Sequence, residues 1–236
     1  MSEADSTAAP ANIDMKQPQA KFIGFFKLIE AMKQPGCPIC ARIIEDIHHG
    51  MDSFLYESVN DSGLRDQIRS DSGLCHRHSW QLARFGDALG SAILFRDVLA
   101  TVLASLGSTP SLSFFRKRST RLGAQVCLFC RQEERSHEGL LSDLVAHIDD
   151  AELKKAWGGP AVLCIPHLSD LCGLLRDDAA RRRITEMHRS KYMALCDEME
   201  QLKEKQSYNH RPEEIGPEKD SWIRAIEVLV GRSGIS

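Results

Sequence analysis

One arrangement of cysteines and histidines occurs twice in this 236-residue chain: Cys37-x2-Cys40 followed by Cys75-x2-His78, then Cys127-x2-Cys130 followed by Cys164-x2-His167. The second copy trails the first by 90 residues at the CxxC and by 89 at the CxxH. The pattern constrains the fold strongly, because ligands more than thirty residues apart must meet at one point. Three thiols and one imidazole are the set that closes a tetrahedral zinc site. Six of the eight cysteines belong to the pattern, and Cys172 and Cys196 fall outside it, where they are expected as small buried helix residues. The repeat also decides between the two histidines of Cys75-His76-Arg77-His78. Only His78 aligns with His167, which leaves His76 to the surface.

Taken in chain order, each copy closes on itself, with Cys37, Cys40, Cys75 and His78 around one ion and Cys127, Cys130, Cys164 and His167 around a second. A quartet of this kind leaves no position for water, whereas catalytic zinc sites keep one open, so two structural Zn ions are expected. Disulfides would leave both histidines unexplained. A thioredoxin-like use of Cys37-Pro38-Ile39-Cys40 needs a preceding strand, but residues 21–33 read as an amphipathic helix. An iron-sulfur cluster is the alternative cofactor, although its cysteines are more often four and more closely spaced.

The surrounding sequence is helical in pattern. Ile43, Ile44, Ile47, Met51, Phe54 and Leu55 recur at three- and four-residue steps after Cys40, and Leu140, Leu141, Leu144, Val145 and Ile148 do so after Cys130. Past His78, Asp87 can cap a long helix, and past His167, Asp177 and Asp178 open another that runs to about Gln206. No stretch alternates long enough for a strand. The expected architecture is therefore all-α: two tandem helical repeats, each pinned by a Cys3His site, plus a C-terminal helix. The expected boundaries are a disordered tail at 1–20, the first repeat at 21–107, a basic linker at 108–125, the second repeat at 126–207 and a C-terminal segment at 208–236. In that segment Trp222, Ile223, Ala225, Ile226, Leu229 and Val230 have helical spacing and are expected to pack across the repeats.

A formal net charge of −3 supplies no global field toward nucleic acid or anionic membrane. The longest apolar region, residues 91–106, is broken by Arg96 and Asp97, is too short to span a bilayer, and reads as a buried helix. Residues 1–19 are polar with no apolar core, so the chain is expected to reside in a reducing cytoplasm. The run Arg116, Lys117, Arg118 and Arg121 reads as solvated linker, with nucleic-acid binding beside Phe114-Phe115 as the sharper alternative. Arg181-Arg182-Arg183 point in different directions on a helix and make a poor patch.

These residues resemble a family of uncharacterised prokaryotic proteins known as a domain of unknown function. The resemblance is carried by Gly36-Cys37-Pro38-Ile39-Cys40, Tyr56-Glu57-Ser58-Val59-Asn60-Asp61 with Arg65, Ser72-Gly73-Leu74-Cys75 with His78, and Gly86-Asp87-Ala88-Leu89-Gly90. In the second half it is carried by Cys127, Cys130, Leu163-Cys164-Ile165-Pro166-His167-Leu168 and Asp220-Ser221-Trp222-Ile223-Arg224-Ala225. The resemblance covers the chain from about Lys21 onward and implies an architecture but no activity. It directs attention to Tyr56, Glu57, Asn60, Asp61 and Arg65, which read either as polar groups satisfying a helix end or, with Trp222, as a ligand or partner surface.

No phosphate-cradling glycine loop, dinucleotide fingerprint, HExxH or nucleophile elbow is present, so no catalytic residue is assigned. The expected function is that of a non-enzymatic, zinc-stabilised helical protein that binds another protein. A thiol or iron-sulfur redox protein, a nucleic-acid-associated factor, and an enzyme with a site around Tyr56, Asp61 and Trp222 are the alternatives.

Overall fold

Helix starts are where this sequence is most explicit. Each of the four metal motifs opens a helix, with its first cysteine as the capping residue and its second ligand in the first turn. Cys37 precedes α2 (Pro38–Ser53), Cys75 precedes α4 (His76–Ala83), Cys127 precedes α6 (Leu128–Ala146) and Cys164 precedes α8 (Ile165–Leu174). Pro38 and Pro166 sit in the first turns of α2 and α8, where the fixed φ of proline suits a helix and its missing N–H costs nothing. Four aspartates start four of the other six helices. Asp61 accepts from the Leu64 N–H at 2.7 Å to begin α3 (Ser62–Ser70), and Asp87 accepts from Gly90 at 2.9 Å to begin α5 (Ala88–Gly107). Asp150 and Asp177 do the same for α7 (Ala151–Trp157) and α9 (Asp178–Lys205). The chain enters through α1 (Ile23–Ala31), passes a π-helical turn at Phe54–Ser58, and leaves through a 3₁₀ turn at Pro217–Asp220 and α10 (Ser221–Val230).

The computed structural model describes residues 21, 23–71, 73–107, 127–206 and 216–234. The expected tail at 1–20, the basic linker with Arg116, Lys117, Arg118 and Arg121, and residues 208–215 lie outside the described residues. Among the described residues there are ten α-helices and no strand. No helix there is long and apolar enough to cross a membrane. The duplication is visible in the order of elements, since α2, α3, α4 and α5 are matched in kind by α6, α7, α8 and α9.

The centre of the molecule is the contact between the two CxxC helices. They run antiparallel: Phe129 near the start of α6 meets Phe54 just past the end of α2, with ring centroids 6.1 Å apart. One and two turns later Gln132 Nε2 donates to the Asp46 carbonyl at 2.9 Å and Ser136 Oγ donates to the Asp46 carboxylate at 2.5 Å. Helix α1 lies across both, placing Phe25 and Leu28 out of water among Ile39, Ile43 and Leu144. Each such side chain contributes about 1.5–3 kcal/mol by leaving water.

Two sequence expectations need correction. Helix α5 is not a buried helix: Gly90, Leu94 and Val98 face inward, but Leu89, Leu99 and Leu103 are exposed because it packs along one face, on α3, α4 and the π turn. Helix α10 does pack on α8 and α9, yet through Ser221 and Val228, with Trp222, Ile223, Ile226, Leu229 and Val230 turned to solvent.

One buried titratable group makes stability pH-dependent. His188 on α9 is fully buried, its Nδ1–H donates to the Ile184 carbonyl at 2.8 Å, and its ring packs 5.1 Å from that of Trp157. Burial pushes its pKa down from 6.5 to about 4. Between those values the unfolded chain takes up a proton that the folded chain refuses. The stability held at neutral pH therefore declines as pH falls from about 6.5 to about 4, by on the order of 3 kcal/mol. Unfolding of the wild type and of His188→Phe across this range should show a flatter profile in the variant, and equal slopes would remove His188 as the cause.

Candidate metal centres

The eight motif residues assemble into two groups, but not by repeat. Cys37 and Cys40 join Cys164 and His167, and Cys127 and Cys130 join Cys75 and His78. Each centre thus combines the CxxC of one half with the CxxH of the other, which corrects the repeat-by-repeat pairing. The reason lies in helix lengths. Helix α2 with its π turn carries the chain about 30 Å outward at 1.5 Å per residue, and α3, about 14 Å long, is too short to bring it back. Helices α6 and α7 repeat the imbalance. Each CxxH therefore falls short of its own CxxC, and because α2 and α6 are antiparallel it arrives beside the other one.

Within each group all ligand atoms lie within 4.8 Å of one another. In the first centre His167 Nδ1 lies 3.4 Å from the sulfurs of Cys37 and Cys40 and 3.0 Å from Cys164, and the Cys40 and Cys164 sulfurs are 3.7 Å apart. In the second, His78 Nδ1 lies 3.3, 3.2 and 3.3 Å from Cys75, Cys127 and Cys130, with Cys127–Cys130 at 3.3 Å and Cys130–Cys75 at 3.7 Å. Metal–sulfur bonds of about 2.3 Å and metal–nitrogen bonds of about 2.0–2.1 Å give tetrahedral edges of about 3.5–3.8 Å. The residues present fit one tetrahedral ion in each centre.

Each centre also lies between two helix N-termini, α2 with α8 and α4 with α6. Their exposed N–H groups and positive dipole ends favour thiolates. The His78 and Cys130 N–H groups point at Cys75 and Cys127 Sγ, at 3.5 and 3.4 Å. Contacts from Cys127 and Cys130 hold the Cys75 thiol far below its ordinary range, while the same crowding by Cys127 and Cys75 drives Cys130 up. Burial opposes charge on the imidazoles, yet contact with the sulfurs overcomes it: His78 is raised to about 9 and His167 to about 12. Without an ion the clusters hold a proton on each imidazole, and that proton must leave when metal binds.

The groups behind the ligands were not legible as site residues. Glu133, almost fully buried, is forked against Arg77, with Arg77 Nη1 donating to Oε1 at 3.0 Å, and its other oxygen stands 3.8 Å from His78 Nε2. This places a carboxylate beyond the non-ligating imidazole nitrogen, an arrangement that orients ligating histidines. At the first centre Lys191 donates to the carbonyls of Trp157, Gly159 and Ala161 at 2.9, 2.9 and 2.5 Å, and Tyr192 OH donates to Leu163 at 2.7 Å. Together they fix the turn that delivers Cys164. The signal in the sequence was a Lys-Tyr pair on a charged helix, which reads as surface. Gly231, at φ +86°, closes α10 against the first centre, where a Cβ would lie 3.7 Å from Cys40 Sγ. Three residues on, the Gly234 carbonyl accepts from Arg77 and Gln81 on α4, both at 3.0 Å.

Of the remaining sequence candidates, His76 is exposed, as the repeat alignment required. Tyr56, Glu57 and Asn60 are exposed at the π turn, Asp61 caps α3, and Arg65 pairs with Asp97 at 3.4 Å. Trp222 lies elsewhere, half-exposed on α10. Cys172 is half-buried and Cys196 is exposed, so the expectation of two buried helix cysteines is corrected: both sit on outward-facing sides of α8 and α9.

The crossed pairing has a distinctive stoichiometry. The double variant Cys37→Ser/Cys164→Ser should lose one ion and keep the other, while Cys37→Ser/Cys75→Ser should lose both. Elemental analysis of the two purified proteins decides, and the reverse result would restore pairing within each repeat.

Comparison with known proteins places the chain in a family without adding an activity. The chain is 28% identical over 211 residues to an uncharacterised 23.9 kDa protein from the xynA 3′ region of Caldicellulosiruptor sp. (strain Rt8B.4), an alignment covering 86% of this chain and 99% of that protein. No solved structure matches. A family model spans residues 15–234, and the chain belongs to that family, the family of unknown function DUF6062.

Proposed function

We propose that both centres hold zinc as a structural ion and that the protein acts by binding other proteins, not by catalysis. The observation that carries this reading is the closure of each quartet: four protein ligands surround a space of one-ion size and leave no coordination position for a substrate or water. A cluster would spread its ligands over several irons, and ligand atoms that all lie within 4.8 Å of one another favour a single ion over that arrangement.

The binding role is supported by two clefts in equivalent places, each between the CxxC helix and the CxxH helix of one half. The α2/α4 cleft, 760 Å³, has Ile43, Ile47, Met51 and Trp80 on its walls and Arg77 and Arg84 at its rim. The α6/α8 cleft, 1100 Å³, has Leu141, Val145 and Leu174 with Glu134, Glu138 and Asp170. Apolar walls with rims of opposite sign suit two different protein segments.

Protein prepared anaerobically should contain two zinc ions per chain and no visible absorbance, and iron with acid-labile sulfide would replace this reading with a redox one. Because both imidazoles are raised above neutrality, zinc uptake by the metal-free protein should release protons at pH 7–8 and weaken as pH falls. Calorimetry in buffers of different ionisation enthalpy measures that release. A photo-crosslinking residue in place of Trp80, and separately of Leu174, should capture discrete and different proteins in the natural host. No adduct at either cleft would count against the binding role.

A further inference from the structure

Helix α10 is amphipathic in the wrong sense. Its inward side carries Ser221, fully buried, with Val228 and the charged pair Arg224 and Glu227. Arg224 is engaged by Glu198 and Asp220, and Glu227 by Arg232. Its outward side carries Trp222, Ile223, Ile226, Leu229 and Val230, which are 45–70% exposed. A helix that turns polar groups to its own protein and five large apolar groups to water contradicts the pattern of a surface helix. Five such side chains, each about half exposed, put on the order of 500 Å² of apolar surface in one stripe, toward the upper end for a monomer.

The stripe is also symmetric. Taking Ile226 as centre, the apolar positions fall at four and three residues before it and three and four after it. Two copies of α10 packed antiparallel about a two-fold axis at Ile226 would set Ile226 against itself. Trp222 would meet the smaller Val230 of the partner subunit, and Ile223 would meet Leu229 of the partner subunit. Self-complementarity of this kind meets what an isologous contact requires. Two stripes bury about 1,000 Å² together, which reaches the lower bound of specific interfaces. The nearby charges, Glu218, Asp220 and Glu227 against Lys219, Arg224 and Arg232, cancel, whereas helices that lie on membranes carry a basic excess at their flanks. We infer that α10 is the interface of a two-fold symmetric homodimer, formed by antiparallel pairing of the Trp222–Val230 stripe.

The test is sedimentation velocity of the full metal-loaded chain over a range of concentrations. The wild type should dimerise. Ile226→Lys and Ile226→Glu each place like charges together on the axis and should weaken association at least about 100-fold, with metal content and helicity unchanged. An equimolar mixture of the two variants should recover the dimer, because opposite charges then meet on the axis. Ile226 touches neither metal centre, so a variant that lost metal would fail the control, and the mixture, read against each variant alone, still decides. A wild type that stays monomeric, a dimer indifferent to both charges, or monomers that instead float with phosphatidylcholine vesicles would each overturn the inference.

Discussion

The reciprocal exchange of ligands between the two halves is the constraint on which the rest of the structure depends. Cys37 and Cys40 are completed by residues more than 120 positions away, and the second centre, from Cys75 to Cys130, is nested inside the span of the first. Two ions held this way do more than staple two local loops. An ion bound like a structural zinc contributes about 10–16 kcal/mol, as much as the whole stability of an ordinary domain, and here each would act on the joint between the halves. The antiparallel packing of α2 on α6 and the metal centres are then one device: the helices bring each CxxH to the foreign CxxC, and the centres fix that packing.

Local electrostatics make the exchange possible. Three thiols crowded around a buried imidazole are unfavourable unless something offsets the charge of the thiolates. Two helix N-termini converge on each centre and supply fixed positive ends. The surroundings of the two centres nevertheless differ. A buried Glu133–Arg77 pair stands behind His78, while Lys191 and Tyr192 hold the backbone that presents Cys164. The C-terminal segment touches both, through Gly231 at the first centre and the Gly234 carbonyl on α4 beside the second. A disturbance at α10 therefore has a short physical route to each ion.

The helices and all eight cluster residues were legible in the sequence because their signals are local. Asp61, Asp87 and Asp177 announce helix starts within three residues, and a CxxC or CxxH defines its own turn. The partnership between motifs was not local. Spacers of 34 and 33 residues suit closure within a repeat equally well on paper, and only the mismatch of outgoing and returning helix lengths decides otherwise. Glu133, Arg77 and Lys191 were missed for the same reason, since a charged residue on a helix reads as solvated until the neighbouring element is known. Leu99 and Leu103 on α5 failed in the opposite direction: apolarity foretold burial, but a helix with one packed face exposes the other.

Helix α10 shows how far pattern and environment can diverge when a second requirement acts on the same residues. Its spacing of apolar residues correctly marks a helix, and the error lies in assuming that the apolar side packs on the rest of the chain. The polar side is committed inward, with Arg224 reaching Glu198 on α9, so rolling the helix to hide Trp222 would break that pair and expose Ser221 and Val228 to water. The packing of Ser221 and Val228, with that one cross-helix pair, sets the stripe outward. An interface built on α10 would also stand at one end of the segment that reaches both metal centres, so association and metal occupancy would stabilise the same arrangement of α8, α9 and α10.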